Sequence, residues 1–185
     1  MGVIEAVFID RDGTIGGVED KVIYPNEMII FPEVEESIKR LKEKGLLILS
    51  FTNQPGISRG EANRDDFEVE LKSIGFDRIY LCPHEHNTGC NCRKPLPGML
   101  LQAANENDLD LRKCVVIGDR WTDLVSAQEA GCIKILVQTG AGKKDLKKYE
   151  DGQYFGKYRE AYPDYMATNI KDAAQCFLNH CKEPS

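Results

Sequence analysis

Short unbroken apolar runs recur along the chain, separated by stretches with helical spacing. Val3, Ile4, Ala6, Val7, Phe8 and Ile9 make the first run. Runs of this kind suit parallel strands covered on both faces, so residues 3–9 are predicted as a strand. A polar loop follows to about Pro32. Glu33 to Lys44 reads as an amphipathic helix with Val34, Ile38 and Leu41 on one face. Its acids lie at the start, its lysines at the end, and Gly45 stops it, the order that the helix dipole and left-handed caps favour. Residues 46–51 are a second strand, broken by Thr52-Asn53-Gln54-Pro55-Gly56. A helix carrying Phe67, Leu71 and Ile74 ends at Gly75, and Arg78 to Leu81 is a short third strand. Cys82 to Cys92 has no periodicity and reads as a loop.

Pro97 to Asn107 is a further helix, and residues 114–117 are a fourth strand that ends in Gly118-Asp119. Trp121 to Ala130 is helical with Gly131 as its cap, and Ile133 to Val137 is a fifth strand. Residues 138–164 are polar, rich in Gly and Lys and dotted with Tyr; they read as a long surface loop or a partly ordered excursion. Pro163 to Ala167 adds an edge strand. Asn169 can cap a last helix carrying Ile170, Ala173, Ala174 and Phe177. Strands alternating with helices predict a three-layer, Rossmann-like α/β fold with a mostly parallel sheet and right-handed crossovers. There is no internal repeat.

Composition narrows the function. The 185 residues suit one domain, taken as 1–185, and 42% hydrophobic with 29% charged content is ordinary for a globular chain. The net charge is -6 with no basic block, which argues against a nucleic-acid partner. A small anionic substrate must then be captured by local cations. No segment is apolar enough to span a bilayer and no signal-peptide pattern opens the chain, so a cytoplasmic monomer without a membrane partner is expected. Seven cysteines is an odd count, and the cluster within 82–92 points to metal rather than disulfides.

Polar residues of distinct kinds stand where the strands end. Asp10 and Asp12 leave the first strand two residues apart and so face one pocket. They can share a hard divalent cation, most plausibly Mg²⁺, or divide labour as nucleophile and general acid or base. Gly13 allows close backbone approach and Thr14 offers a hydroxyl. Thr52 and Asn53, with Gln54 beside them, end the second strand and supply neutral hydrogen bonds. Arg93-Lys94-Pro95 supplies cations, and Asp119 a third carboxylate for the metal. In a parallel sheet these ends share one edge, where open α/β folds bind ligands. A nucleophile, a metal and fixed positive charge together suit phosphoryl transfer.

Taken in order, DRDGT, TNQPG, CRKPLPGM and GDRWTD resemble the four motifs of the haloacid-dehalogenase-like phosphatases, from about Val3 to about Val137. Within that superfamily the chain is similar to the zinc-containing branch that acts on heptose bisphosphates and histidinol phosphate. The resemblance implies that Asp10 is the nucleophile that becomes an aspartyl-phosphate. It implies that Asp12 protonates the leaving oxygen, activates water, and binds Mg²⁺ through its backbone carbonyl. Thr52 and Lys94 would hold the phosphoryl oxygens, and Asn53, Gln54 and Arg93 would contact substrate. Asp119 would complete the Mg²⁺ site and Asp123 support it.

Cys82-Pro83-His84 and Cys90-Asn91-Cys92 form a C-x-H…C-x-C set. Three thiolates and an imidazole suit a closed, structural Zn²⁺ site. His86 is an alternative nitrogen ligand, and the family pattern favours His84. Cys92 directly precedes Arg93 and Lys94, so zinc would fix the loop that carries the cations. Cys114, Cys132, Cys176 and Cys181 read as small buried or helix-side residues.

The interval between the second and third motifs leaves no room for a large cap, so specificity is expected from residues 15–30, residues 54–60 and the zinc loop. Asn26, Glu27 and Arg59 are the candidate side chains there. TNQPGISRG and CRKPLPGM resemble the heptose-bisphosphate enzymes, whereas the short zinc-loop spacer and GDRWTD are closer to the histidinol-phosphate enzymes. A small phosphorylated metabolite, a sugar phosphate first and histidinol phosphate second, is the expected substrate. A catalytically silent phosphate-binding protein is the alternative of another class, and both motif aspartates argue against it.

Overall fold

In a computed structural model, describing residues 3–17, 21 and 23–180, the apolar runs become strands of one parallel sheet. The strands are β1 (Ala6–Ile9), β2 (Leu47–Asn53), β3 (Arg78–Cys82), β4 (Cys114–Gly118), β5 (Ile133–Val137) and β6 (Tyr165–Ala167). The helices are α1 (Val34–Glu43), α2 (Arg64–Ile74), α3 (Gly98–Asn107), α4 (Trp121–Ala130), α5 (Gly142–Glu150), α6 (Lys157–Glu160) and α7 (Ile170–His180). A 3₁₀ turn at Leu111–Lys113 leads into β4. The sheet order is β3-β2-β1-β4-β5-β6, and every neighbouring pair is parallel.

The alternation of side chains along each strand divides the core in two. Val7 and Ile9, with Ile48, Val115, Ile117 and Ile135, pack beneath Ile38 and Leu41 of α1, Leu71 of α2 and Ile170 and Ala173 of α7. Ala6 and Phe8 face the other way, with Leu49, Phe51 and Val116 against Met99, Leu100 and Ala103 of α3 and Ala127 of α4. Strands buried on both faces have no polar side to show, which is why their sequences read as continuous apolar runs. At the start of α7, Asn169 Oδ1 accepts the amide of Asp172 at 3.0 Å, as the sequence predicted.

Residues 138–164 depart from the expected loop or excursion. They contain α5, α6 and the turn into β6, and their aromatic residues close a third cluster around Trp121. Tyr149 and Tyr154 stack on the Trp121 ring at 4.9 and 5.1 Å between centroids. The indole N–H donates to the Tyr158 carbonyl at 2.7 Å. The core of this segment is built from tyrosine rings, whose polar tips hide the apolar period that aliphatic residues would reveal. Cys114 and Cys132 are buried as expected; Cys181, the side chain of Phe177, and residues 18–20 and 22 of the candidate specificity loop lie outside the described residues.

Candidate active site

The order of the sheet decides where the chemistry sits. β1 lies between β2 and β4, so the chain leaves the sheet in opposite directions on either side of it, and a crevice opens at the carboxyl ends. Asp10 and Asp12 follow β1, Thr52 and Asn53 end β2, and Asp119 follows β4.

Asp10 is buried, with Oδ1 accepting the Arg11 amide at 2.7 Å and the Lys94 ammonium at 2.9 Å. Lys94 also pairs with Asp123 Oδ1 at 2.6 Å, and its Nζ stands 4.3 Å from the Phe51 ring centroid. Burial works against the ammonium, but the carboxylates of Asp10 and Asp123 outweigh it and hold the Lys94 pKa above the ordinary lysine value. Lys94 is a fixed cation beside Asp10.

Asp119 and Asp123 are both buried, and donor oxygens of Asp10, Asp119 and Asp123 lie within 4.8 Å of one another. Burial, then the charges of Asp10 and Asp123, raise the Asp119 pKa well above that of a free aspartate. Lys94 and Arg120, the two cations that act on these three carboxylates, still leave negative charge uncompensated, and the oxygen-only donor set fits a hard divalent cation such as Mg²⁺. Thr14 Oγ1 reaches Asp119 at 3.5 Å, and the Ala141 amide, entering α5, donates to Asp119 Oδ2 at 2.7 Å. The segment expected to be peripheral therefore holds a site carboxylate. Gly13, at φ +79°, and Gly140, at φ +51°, pack so closely on Asp119 that a Cβ on either would strike its carboxylate.

Asp12 keeps about a third of its side chain exposed, open to the crevice. Desolvation by the surrounding protein raises its pKa, against the pull of Arg11. Oδ1 accepts Arg11 Nη1 at 2.7 Å and Oδ2 accepts the Gln54 amide at 2.6 Å. Gln54, expected to touch substrate, is buried with its Nε2 shared between Asp12 and, at 2.9 Å, Thr52 Oγ1. By accepting that bond the Thr52 hydroxyl keeps its proton to donate elsewhere. Asn53 likewise turns to the protein: its amide donates to the Lys94 carbonyl at 3.2 Å and accepts the Lys94 N–H at 3.0 Å. Asn53 thus pins the backbone of the lysine.

Arg93 points toward the cysteine loop, donating to the His84 carbonyl at 2.8 Å and approaching His86 Nε2 at 2.9 Å. His84 rather than His86 joins the cysteines. Cys82 and Cys90 sulfurs are 3.7 Å apart, and His84 Nδ1 lies 3.5 Å from Cys82 Sγ and 3.2 Å from Cys92 Sγ. A tetrahedron with Zn–S bonds of about 2.3 Å has sulfur–sulfur edges of roughly 3.8 Å, so this set has the dimensions of a zinc site. Burial pushes the Cys82 thiol up to about 12. Burial also opposes ionisation of Cys90, but the Arg93 amide, the Thr88 hydroxyl and the neighbouring thiols bring it down to about 6.

In the loop after β2, Arg59 pairs with Glu61 at 2.7 Å and Glu85 at 2.5 Å, and Tyr24 hydrogen-bonds to Glu61. This chain of contacts joins the loop before α1, the loop after β2 and the cysteine loop. Asn26 and Glu27 are exposed nearby in sequence, with Asn26 at φ +75°.

Two residues of the site escape sequence reading. Arg11, inside DRDGT, is fully buried, and Glu70 of α2 holds it with two bonds of 2.6 and 2.9 Å. The available signal is weak: Glu70 falls in the helical row of Phe67, Leu71 and Ile74, where an acid on a buried face calls for a cation.

A parallel sheet with acids at its central strand ends and a fixed lysine across from them is the framework of a phosphoryl-transferring hydrolase. The haloacid dehalogenase-like hydrolase model matches residues 17–131 and a second model of that superfamily, HAD-hydrolase-like, matches residues 91–173; the chain belongs to the haloacid dehalogenase-like hydrolases and is a phosphatase. It is 37% identical to D-glycero-beta-D-manno-heptose-1,7-bisphosphate 7-phosphatase of Bordetella bronchiseptica, across 77% of this chain and 86% of that one. It is 34% identical to D-glycero-alpha-D-manno-heptose-1,7-bisphosphate 7-phosphatase of Campylobacter jejuni, across 84% of this chain and 90% of that one. The crystal structure of the B. bronchiseptica D,D-heptose 1,7-bisphosphate phosphatase, complexed with magnesium and phosphate, superposes with a TM-score of 0.80 at 32% identity, covering 96% of this chain and 99% of that one.

Proposed function

We propose that this protein is a Mg²⁺-dependent phosphatase that removes the 7-phosphate of a D-glycero-D-manno-heptose 1,7-bisphosphate through an aspartyl-phosphate on Asp10. The observation that carries the chemistry is the Lys94–Asp10 contact of 2.9 Å beside Asp119, at the strand ends of the switch point. Likeness in name and structure to the heptose-bisphosphate enzymes supports the substrate.

Asp10, its Oδ1 held at 2.9 Å by the Lys94 ammonium, attacks phosphorus. The bond from phosphorus to the sugar oxygen breaks, and protonated Asp12 gives its proton to that oxygen. Asp12, now a carboxylate, takes a proton from water as the water attacks the aspartyl-phosphate; phosphate departs and Asp10 is restored. Thr52 and Lys94 hold the phosphoryl oxygens. Asp10, Asp119 and the main-chain carbonyl of Asp12 are the groups to hold Mg²⁺, with Asp123 steadying Lys94. When bound, Mg²⁺ offsets the charge on the transferring oxygens. Asn53 serves by fixing Lys94, and Arg93 braces the loop that precedes Lys94 through His84 and His86. The reading is tested by assaying purified protein with Mg²⁺ against both anomers of the heptose bisphosphate, histidinol phosphate and p-nitrophenyl phosphate. The highest kcat/KM is expected on the heptose, with release from C7 and no turnover after chelation. Preference for histidinol phosphate would overturn the substrate, and no hydrolysis of any ester would overturn the reaction.

We further propose that Cys82, His84, Cys90 and Cys92 bind one structural Zn²⁺. Metal analysis of protein prepared under reducing conditions should find about one Zn per chain. Cys92→Ser should lose that metal and raise KM, because Arg93 and Lys94 follow Cys92 directly. Protein that contains no zinc yet has full activity would refute the site.

A further inference from the structure

Arg11 is an expensive residue to bury. Its side chain has no exposure, and α2 covers it with Phe67, whose ring centroid lies 4.9 Å from the guanidinium carbon. Taking a charge out of water is unfavourable unless its donors are all met, and an apolar side chain would serve packing alone at least as well. Here four of the five N–H groups are met, in a particular order. Nε and Nη2 form a two-pronged pair with Glu70 at 2.6 and 2.9 Å. Nη1 reaches forward to Asp12 Oδ1 at 2.7 Å and to the Ile23 carbonyl at 2.7 Å. The other oxygen of Asp12 is held by Gln54 at 2.6 Å.

A guanidinium is rigid and planar, so a carboxylate gripping one edge fixes the direction of the opposite edge. Glu70, on a helix packed against the sheet, thereby fixes the fork that faces Asp12. We propose that Arg11 and Glu70 are positioning residues: α2, acting through the Glu70–Arg11 fork, aims the carboxyl group of Asp12 at the leaving oxygen. This rests on the reading of Asp12 as the proton donor. The pair touches no substrate and forms no bond in the reaction.

Proton donation matters for a poor leaving group and hardly at all for a good one. The test therefore compares two esters in the intact enzyme: the sugar phosphate it hydrolyses, an alkyl ester, and p-nitrophenyl phosphate, an aryl ester. Misaiming a catalytic group by about 1 Å costs on the order of 10²-fold. Glu70→Ala is expected to lower kcat/KM for the alkyl ester by roughly that factor, through kcat with KM little changed, and for the aryl ester by less than about 5-fold. Glu70→Gln, which keeps an acceptor toward Arg11, should recover most of the loss.

Equal losses on both esters, or no loss, would overturn the proposal. If Glu70→Ala does not fold, Arg11→Lys, which keeps the charge and removes the fork, is held to the same comparison. Asp12→Asn separates the role of Asp12 as acid from the positioning role of Glu70. A leaving-group-dependent loss in Asp12→Asn without one in Glu70→Ala rejects the positioning role and leaves Asp12 as the acid. No such dependence in Asp12→Asn rejects both.

Discussion

Asp10→Asn is expected to fold as the parent protein does and to hydrolyse its substrate at least about 10⁴-fold more slowly, the scale of loss when a covalent catalyst loses its nucleophile. The side-chain oxygen of asparagine can still accept the Arg11 amide, so the backbone at the end of β1 keeps that contact. Electrostatically the change cuts both ways. Lys94 loses an attraction at 2.9 Å but retains Asp123 at 2.6 Å, while Asp119 and Asp123 are freed from a neighbouring charge that raises both of their pKa values. Opposed terms of this kind leave stability within about 1 kcal/mol of the parent. Circular dichroism and thermal melting check the fold, phosphate release the rate, and mass spectrometry of quenched reactions the phosphorylated aspartate. Sustained hydrolysis by a well-folded Asp10→Asn protein would remove Asp10 from the mechanism.

Lys94→Met should damage both folding and activity. Methionine matches the length of the stem that packs against Phe51, but it leaves two carboxylates without their shared cation. Asp123 is fully buried, and stranding one partner of a buried pair typically costs about 3–5 kcal/mol. That corresponds to a fall in Tm of roughly 10 °C for a chain of this size. Catalysis should fall by about 10²–10³-fold as a fixed charge at the phosphoryl oxygens is lost. The stability deficit should also depend on pH in a definite direction. Burial already pushes Asp123 up to about 6 against the opposing pull of Lys94. Without the lysine its folded-state pKa rises further above the unfolded value, so stability is lost as pH climbs between the two. Melting of Lys94→Met should therefore approach the parent as pH drops from 7.5 toward 5.5. A deficit that is constant over that range would mean that Asp123 is not the stranded charge.

The parts of this molecule that a sequence discloses are those built from aliphatic side chains or from metal-ligand spacing. β1, β2, β4 and β5 are legible because strands buried on both faces carry Val, Ile, Leu and Phe at nearly every position. The acids that end them stand out against that background, and C-x-H…C-x-C marks the loop that gathers Cys82, His84, Cys90 and Cys92. Residues 138–164 are opaque because α5 buries only Gly142 and Asp145 along its length, while tyrosine rings do the packing around it. Pattern also fails to tell which way an amide turns. Asn53 and Gln54 lie where the motif puts them, but their hydrogen bonds go to Lys94, Asp12 and Thr52, a choice made by side-chain torsions within the folded crevice. Arg11 and Glu70 are harder still, since their pairing joins a strand end to a helix 59 positions along the chain.

The place of β1 in the sheet has a consequence for how the molecule comes into being. Phe8 pairs with Leu49 on one side and with Val116 on the other. β1 is thus made before both of its neighbours, and its second neighbour emerges from the ribosome long after its first. A nascent chain can complete the β1–β2 pair while Asp119 has not yet been made, with one edge of β1 open. Long-range parallel pairing of this sort folds slowly and leaves an exposed strand edge in the meantime. Catalytic competence therefore cannot precede the pairing of β1 with β4, and the appearance of activity reports the closing of that ladder.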